Sequence, residues 1–253
     1  MICETTVHDP ITYERPPDGG KIPIIDPYDG CTLCCPYCFQ LSDARWNKNL
    51  YVHMNIADLL HDRLAAWDQA ETIYLGSRCD PYMQAEETYG LTRKCLSVLN
   101  ELGINTMITT KSDNRLIFRD LDILTNFNAG ITVLMGISNV NQLGKGAQND
   151  NILTANKLAD SGVAVWSFIT PVLPYIMDVD SIIEALSPDI PVFLDKLRIG
   201  KGTVQADNMR RFIARQYPEY AKQYDEIIDA NNEAYYDALI DRYACHSRVK
   251  ILF

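Results

Sequence analysis

Short apolar segments alternate with amphipathic segments between residues 22 and 199 of this 253-residue chain. The apolar segments are rich in β-branched residues, as is typical of strands that are covered on both faces. The amphipathic segments repeat apolar residues at helical spacing, and several end in glycine, a common helix terminator. The pattern predicts strands at 22–26, 72–77, 104–111, 130–138, 163–174 and 191–199, and helices at 54–69, 88–103, 115–127, 150–162 and 178–187.

Six successive units that alternate strand and helix indicate a parallel sheet with right-handed connections. They favour a partial barrel or an open doubly wound sheet, and a barrel places its chemistry at the carboxyl ends of its strands. From about residue 205 the sequence is helical and rich in tyrosine, at spacings more typical of packing than of a binding site. We expect residues 1–204 to form the α/β domain and residues 205–253 a helical C-terminal extension packed on it.

The composition narrows the class of protein without naming a function. Hydrophobic residues make up 47% and charged residues 22%, which is ordinary for a soluble globular chain. There is no apolar run long enough for a membrane span and no secretory signal at the N-terminus, so we expect a cytoplasmic protein with no membrane partner. A formal charge of −10 argues against a nucleic-acid partner, because such proteins usually carry a basic surface.

Four of the eight cysteines lie in one short segment, DGCTLCCPYCF at residues 29–39. Cytoplasmic cysteines seldom form disulfides, so this crowding favours metal ligation. Two triads fit: Cys31, Cys35 and Cys38, or the same set with Cys34 in place of Cys35. A structural zinc site usually needs a fourth ligand, and no second pair of cysteines or histidines follows. Three thiolates on one loop suit a [4Fe-4S] cluster with one iron left open.

The spacing C-x-x-x-C-x-x-C followed by an aromatic residue, placed after the first strand of a β/α repeat, resembles the radical S-adenosylmethionine (SAM) superfamily. Four further segments resemble its spore photoproduct lyase-like branch: YLGSRCDPYMQAEETYGLTRKCL (74–96), TTKS (109–112), GISN (136–139) and ITPVLP (169–174). The similarity covers roughly residues 22–200. It implies a partial (β/α)6 TIM-like barrel, and a [4Fe-4S] cluster and SAM as cofactors.

The resemblance also implies roles for individual residues. Cys31, Cys35 and Cys38 match the cluster ligands, which leaves Cys34 out. The residues that match SAM contacts are Tyr37 and Phe39, which flank Cys38 and of which Phe39 packs on the adenine, Ser77 at the amino group, Lys111 at the carboxylate and Ser138 at the ribose. The Ser77 assignment departs from the family pattern, because GSRCD stands where many members have Gly-Gly-Glu. Each of these residues also has an ordinary alternative, such as a solvated lysine, a turn serine or a shielding aromatic residue.

A further cysteine and an acidic cluster fall at the end of the second predicted strand. Cys79 corresponds in neighbourhood to the cysteine that lesion-repair members of the branch use, which implies a hydrogen-atom donor for a substrate radical. The alternative is a small buried core residue, the commonest fate of a free cysteine. Asp80, Glu86 and Glu87 either bind a cationic or amide-bearing substrate, or cap a turn and begin a helix.

The resemblance implies an enzyme that cleaves SAM to a 5′-deoxyadenosyl radical and abstracts hydrogen from a substrate. A peptide or protein substrate, as for a natural-product peptide maturase, agrees with the acidic charge. An electron donor of the flavodoxin or ferredoxin type is then expected. Two alternatives stay open: a lyase that repairs a nucleic-acid photolesion, and a non-catalytic iron–sulfur or zinc protein.

Overall fold

Two β-sheets and their covering helices make up the part of the chain that the computed structural model describes, residues 1–15, 19–46, 48–112, 115–138 and 150–253. The strands are β1 (Ile2–Thr5), β2 (Thr12–Glu14), β3 (Ile22–Ile25), β4 (Tyr28–Asp29), β5 (Leu50–His53), β6 (Ile73–Leu75), β7 (Thr106–Thr110), β8 (Ile131–Gly136), β9 (Ala164–Val172), β10 (Val192–Lys196) and β11 (Val249–Ile251). The helices are α1 (Ile56–Leu64), α2 (Ala85–Tyr89), α3 (Leu91–Glu101), α4 (Leu121–Leu124), α5 (Asp150–Asp160), α6 (Val179–Ala185), α7 (Val204–Gln216), α8 (Ala221–Ala230) and α9 (Ala234–Tyr243).

The larger sheet has eight strands in the order β11-β10-β9-β8-β7-β6-β3-β2. All neighbours are parallel except β2, which runs antiparallel to β3 at one edge. The six strands predicted from the sequence are all present and adjacent, as β3 and β6 to β10. In β7, Ile108 is fully buried in the core while Met107 and Thr109 are only partly buried, so one face of the sheet packs more tightly than the other. Because the strands are parallel, their carboxyl ends share one edge.

A smaller three-stranded sheet, in the order β1-β5-β4, carries the cysteine-rich loop. The loop runs from residue 30 to residue 49, so it leaves β4 and returns to the adjacent strand β5. Gly30 has a φ of +99°, and a Cβ there would lie 2.1 Å from the carbonyl oxygen of Asn49. Only glycine therefore fits where the two ends of the loop meet. Beneath the loop, Tyr28, Trp46 and Met83 pack in a second apolar cluster.

Three predicted helices differ in extent. The segment 88–103 is divided into α2 and α3 at Gly90, which has a φ of +60° and ends the first helix in the left-handed region. The segment 115–127 forms a 3-10 turn, Leu116–Asp120, followed by the short helix α4. The predicted helix 54–69 is shortened to α1, and the chain then turns so that the Trp67 ring nitrogen donates to the carbonyl of Glu71.

The C-terminal segment begins with α7, whose first turn is capped by the side chain of Thr203. Its tyrosines at 224 and 236 are buried and donate to the main-chain carbonyls of Pro174 and Val172, so they pack against the end of β9. The segment also contributes β11, which pairs in parallel with β10. Sequence periodicity did not predict β11, since three residues are too few to show alternation. Within the described residues, none of the helices has both the length and the apolar character that a membrane span requires.

Candidate active site

A cavity of about 520 Å³ opens at the carboxyl ends of the parallel strands. Its size lies within the usual range for small-molecule sites. The cysteine loop forms one side, and the turn after β6 together with the carboxyl ends of β7, β9 and β10 forms the others. The residues predicted from the sequence that line it are Cys31, Cys35, Cys38, Tyr37, Phe39, Ser77, Cys79 and Lys111. The fold therefore collects eight of the nine predicted site residues around one space, although they are spread over 81 positions.

The cysteines of the loop differ in how far they are exposed. Cys35 is buried, with 7% of its surface exposed, and Cys38 donates its main-chain N–H to the Cys35 carbonyl at 3.1 Å. That tight turn holds Cys35 and Cys38 close together. Cys34 is exposed and has a φ of +53°, a left-handed conformation that a cysteine rarely adopts. Cys31 is partly buried at the start of the loop.

The environments of the thiols differ electrostatically. Burial raises the pKa of Cys35 to about 11, and the nearby Lys111 ammonium opposes that rise. The neighbouring Cys79 thiol lowers the pKa of Cys31. Burial also raises the pKa of Cys38. Burial makes Cys35 and Cys38 costly to ionise, so these two thiols gain from a cation that accepts the thiolate, which is how metal binding and deprotonation are coupled.

The donor set of the loop fits an iron–sulfur cluster. Thiolate is the usual ligand of such clusters, and all four cysteines of the loop, Cys34 included, line the same cavity. In the described ranges, no three histidine, cysteine, aspartate or glutamate side chains are spaced to hold a single metal ion.

Lys111 crosses the floor of the cavity from the end of β7. Its ammonium donates to the carbonyl oxygen of Thr170 at 2.6 Å and lies 5.2 Å from the centre of the Tyr37 ring. The side chain passes directly over Gly136 of β8, where a Cβ would lie only 2.3 Å from the Lys111 Cγ. Glycine at 136 therefore leaves the space through which the lysine reaches the cavity.

The remaining predicted SAM contacts hold three different positions. Ser138 is buried and outside the cavity lining, but its hydroxyl accepts a hydrogen bond from Tyr37 at 3.2 Å. Tyr37 thus links the cysteine loop to the end of β8. Phe39 lies on the rim with 65% of its surface exposed, so its ring is free to cover a ligand. Ser77 lines the cavity in the turn after β6.

The turn after β6 is fixed by its own sequence. Gly76 has a φ of +78°, and a Cβ there would lie 2.4 Å from the Pro81 ring, so glycine is required. Asp80 is buried and accepts hydrogen bonds from the main-chain N–H groups of Tyr82 and Lys111, at 2.9 and 2.6 Å. Its carboxylate thereby ties this turn to the end of β7. Cys79, only 3% exposed, donates its S–H to the carbonyl of Gly30 at 2.6 Å.

The acidic cluster does not face the cavity as a group. Glu86 is fully buried and pairs with Arg119 at 2.6 Å, and it also accepts a hydrogen bond from the hydroxyl of Tyr28. Its second oxygen accepts the main-chain N–H of Thr92. Glu87 is exposed. The geometry of Asp80 and Glu86 supports the capping and packing alternative rather than a substrate-binding cluster.

One charged wall of the cavity was missed by the sequence analysis. Asp195, Lys196 and Arg198 lie in the carboxyl-terminal half of the last predicted strand, 191–199, and line the cavity. Arg198 pairs with Asp195 at 2.7 Å, and Lys196 pairs with Glu233 of the C-terminal segment at 2.7 Å. The only signal available was their position at a strand end, which the prediction of a strand at 191–199 already contained.

Known proteins resemble this chain in sequence and in fold. No family model matches the chain. It is 27% identical over 226 residues to the uncharacterized protein MJ0683 of Methanocaldococcus jannaschii, covering 83% of both chains. It is 25% identical over 258 residues to the uncharacterized protein Rv2578c of Mycobacterium tuberculosis, covering 90% of this chain and 72% of that one.

The solved structures that resemble the fold include spore photoproduct lyase with bound AdoMet and dinucleoside spore photoproduct, with a TM-score of 0.60, 12% identity and 86% of this chain covered. SuiB of Streptococcus suis matches with a TM-score of 0.51, 16% identity and 92% coverage. The chain spans 66% of that lyase chain and 50% of the SuiB chain. The partial barrel expected from the sequence is confirmed, and the chain shares its fold with spore photoproduct lyase and SuiB.

Proposed function

We propose that this chain is a radical SAM enzyme in which Cys31, Cys35 and Cys38 hold a [4Fe-4S] cluster and SAM binds in the adjoining cavity. The observation that carries the proposal is the single cavity whose lining includes these three cysteines, the neighbouring Cys34 and the lysine at the end of β7. When bound, these cofactors supply a 5′-deoxyadenosyl radical for hydrogen abstraction. The protein contributes ligands, orientation and shielding from water.

Three residues around the cavity have separate roles in binding SAM. The Lys111 ammonium, which Gly136 and the Thr170 carbonyl hold in place, pairs with the SAM carboxylate. Tyr37, bonded to Ser138, fixes the wall beside the cluster loop. The exposed ring of Phe39 packs over the adenine, as an aromatic rim residue can without rearrangement.

Cys79 is proposed as the hydrogen-atom donor to the substrate radical, since it lines the cavity beside the cluster loop. Its thiol donates a hydrogen bond to the Gly30 carbonyl, so the side chain must rotate to face a substrate. The competing role is packing, as expected for a buried cysteine. Cys79→Ala distinguishes the two: the donor role predicts normal 5′-deoxyadenosine formation with a changed product, and a packing role predicts the same product.

A peptide or protein is the proposed substrate, with a flavodoxin- or ferredoxin-type protein as electron donor. The net charge of −10 supports a peptide substrate over a nucleic acid, whose phosphates are negatively charged. Repair of a nucleic-acid lesion is the second candidate, because the lyase with a similar fold was solved with a dinucleoside photoproduct.

Anaerobic reconstitution with iron and sulfide, followed by dithionite and SAM, tests the proposed class. We expect a brown protein that forms 5′-deoxyadenosine, and Cys35→Ala as the matched inactive variant. An intact cluster that yields no 5′-deoxyadenosine would exclude the proposal. Addition of peptides or of irradiated DNA, with the rate of 5′-deoxyadenosine formation as readout, then separates the two candidate substrates.

A further inference from the structure

Two sides of the central cavity come from different sheets. The cysteine loop, residues 30–49, belongs to the three-stranded sheet and forms one side. The charged wall of Asp195, Lys196 and Arg198 stands at the end of β10 in the eight-stranded sheet. Strand pairing therefore does not by itself fix the distance between the loop and the wall.

Helix α7 connects these two sides. It follows the charged wall in sequence, and the side chain of Thr203 caps its first turn. Within that turn the Gln205 side-chain amide donates a hydrogen bond to the main-chain carbonyl of Phe39 at 2.9 Å, across 166 positions of sequence. The carbonyl belongs to the residue directly after Cys38, one of the proposed cluster ligands. The bond thus ties the cysteine loop to the element that continues the opposite wall.

The helix that carries Gln205 is itself firmly held. Its residues Met209 and Ile213 are buried in the main apolar cluster, with 0% and 1% of their surface exposed. On another face, Arg210 pairs with Asp225 and Asp229 of α8, at 2.9 and 2.8 Å. Since its apolar face is packed into the core, α7 gives the loop a fixed support.

The loop has little other support at this point. The residues after Cys38 form a 3-10 turn, Phe39–Ser42, that packs against α7 but buries none of its own residues. Its remaining hydrogen bonds are local: the Leu41 N–H donates to the Cys38 carbonyl at 3.1 Å, and the Ser42 hydroxyl donates to the Phe39 carbonyl at 3.0 Å. Local bonds shape the turn, but they do not place it relative to the cavity.

We infer that Gln205 is a positioning residue of the cofactor site. Its hydrogen bond sets the main chain of Phe39, and with it the Cys38 ligand and the aromatic ring proposed to cover the adenine. The inference rests on the proposed function for the identity of the cofactors. It adds that the C-terminal segment, which lies outside the region of family resemblance, is part of the site.

Gln205→Glu tests this inference, because it keeps the size of the side chain and replaces the donor with a carboxylate that repels the Phe39 carbonyl. An acidic residue in the first turn of a helix is favourable, so the variant should melt no lower than the wild type. In the cofactor-free protein, we expect the amides of Leu41 and Asp43, which close the turn, to exchange hydrogen faster. The increase should be roughly two- to tenfold, the net value of one hydrogen bond.

The same factor applies to the reconstituted protein. The SAM dissociation constant of Gln205→Glu should rise by roughly two- to tenfold, and Gln205→Arg, which keeps a long donor, should restore it. Gln223→Glu is the matched control, since it makes the same change in the first turn of α8 and Gln223 does not line the cavity. Ser42→Ala removes the local bond to the same carbonyl and should leave SAM affinity unchanged.

Three results would overturn the inference: wild-type exchange at Leu41 and Asp43 in Gln205→Glu, an equal loss of SAM affinity in Ser42→Ala, or a lower melting temperature in Gln205→Glu. The last result would show that Gln205 supports the fold rather than the site. Failure of the proposed function is recognised separately, as a wild-type protein that binds neither cluster nor SAM. The exchange measurement still decides the role of Gln205 in that case, because it uses the cofactor-free chain.

Discussion

Gly136→Ala is the sharpest test of how the candidate SAM site is built. The new Cβ would lie 2.3 Å from the Lys111 Cγ and 2.9 Å from its Cε, whereas ordinary contacts begin at 3.4 Å. The lysine side chain must therefore shift by about 1 Å or leave the floor of the cavity. Either change breaks or distorts its hydrogen bond to the Thr170 carbonyl, which is 2.6 Å long.

The expected loss follows from the bond that Lys111 is proposed to make. A hydrogen bond to a charged group contributes about 1.5–3 kcal/mol net, which corresponds to roughly 10- to 100-fold in SAM affinity. Lys111→Met should lose a similar amount. The double variant should lose little more than either single one, because both changes remove the same contact.

Equilibrium binding of SAM to the anaerobically reconstituted protein measures this effect. Gly200→Ala is the matched control, because a Cβ there meets nothing within 4 Å and the backbone is not left-handed; its SAM affinity should be unchanged. Thermal melting of each variant separates a folding defect from a binding defect. Wild-type SAM affinity in Gly136→Ala would refute the positioning argument, and wild-type affinity in Lys111→Met would refute the role of the lysine itself.

Three further predictions concern the cluster, the core and pH. Cys35→Ala should abolish the visible absorbance of the reconstituted cluster and Cys34→Ala should retain it; the reverse would show that the other cysteine triad binds. Glu86→Gln should lower the free energy of unfolding by about 2 kcal/mol because it removes a fully buried charge that accepts hydrogen bonds from Arg119, from the Tyr28 hydroxyl and from the Thr92 main chain, while Asp120 still pairs with Arg119, with the exposed Glu87→Gln as control; equal urea midpoints would contradict this. Burial raises the pKa of Asp26 from 3.8 to about 7, so the folded chain retains a proton that the unfolded chain releases. Stability should therefore fall by at most about 4 kcal/mol as pH rises from about 4 to 7, and Asp26→Asn should remove that decline in urea titrations; an equal decline in the variant would exclude Asp26 as its source.

Local patterns were sufficient for the order of elements and for the edge that carries the chemistry. The period of the apolar residues is a property of neighbouring positions, so the six parallel strands could be predicted without knowledge of their partners. The spacing of the cysteines and the motif after β6 likewise depend on short stretches of chain. Five strands were missed, β1, β2, β4, β5 and β11, each of which has four residues or fewer and lies outside the alternating β/α units.

The roles of single residues at the site depended on distant parts of the chain. The sequence by itself determined the alternating α/β architecture, a thiol-rich loop after the first predicted strand and a lysine after the third. Only the tertiary structure decided that Lys111 reaches the cavity over Gly136, that Glu86 is buried and paired with Arg119, and that Lys196 forms a wall with the C-terminal segment. The physical reason is that a side chain's partner and burial are set by elements that pack against it, and these come from positions far away in the sequence.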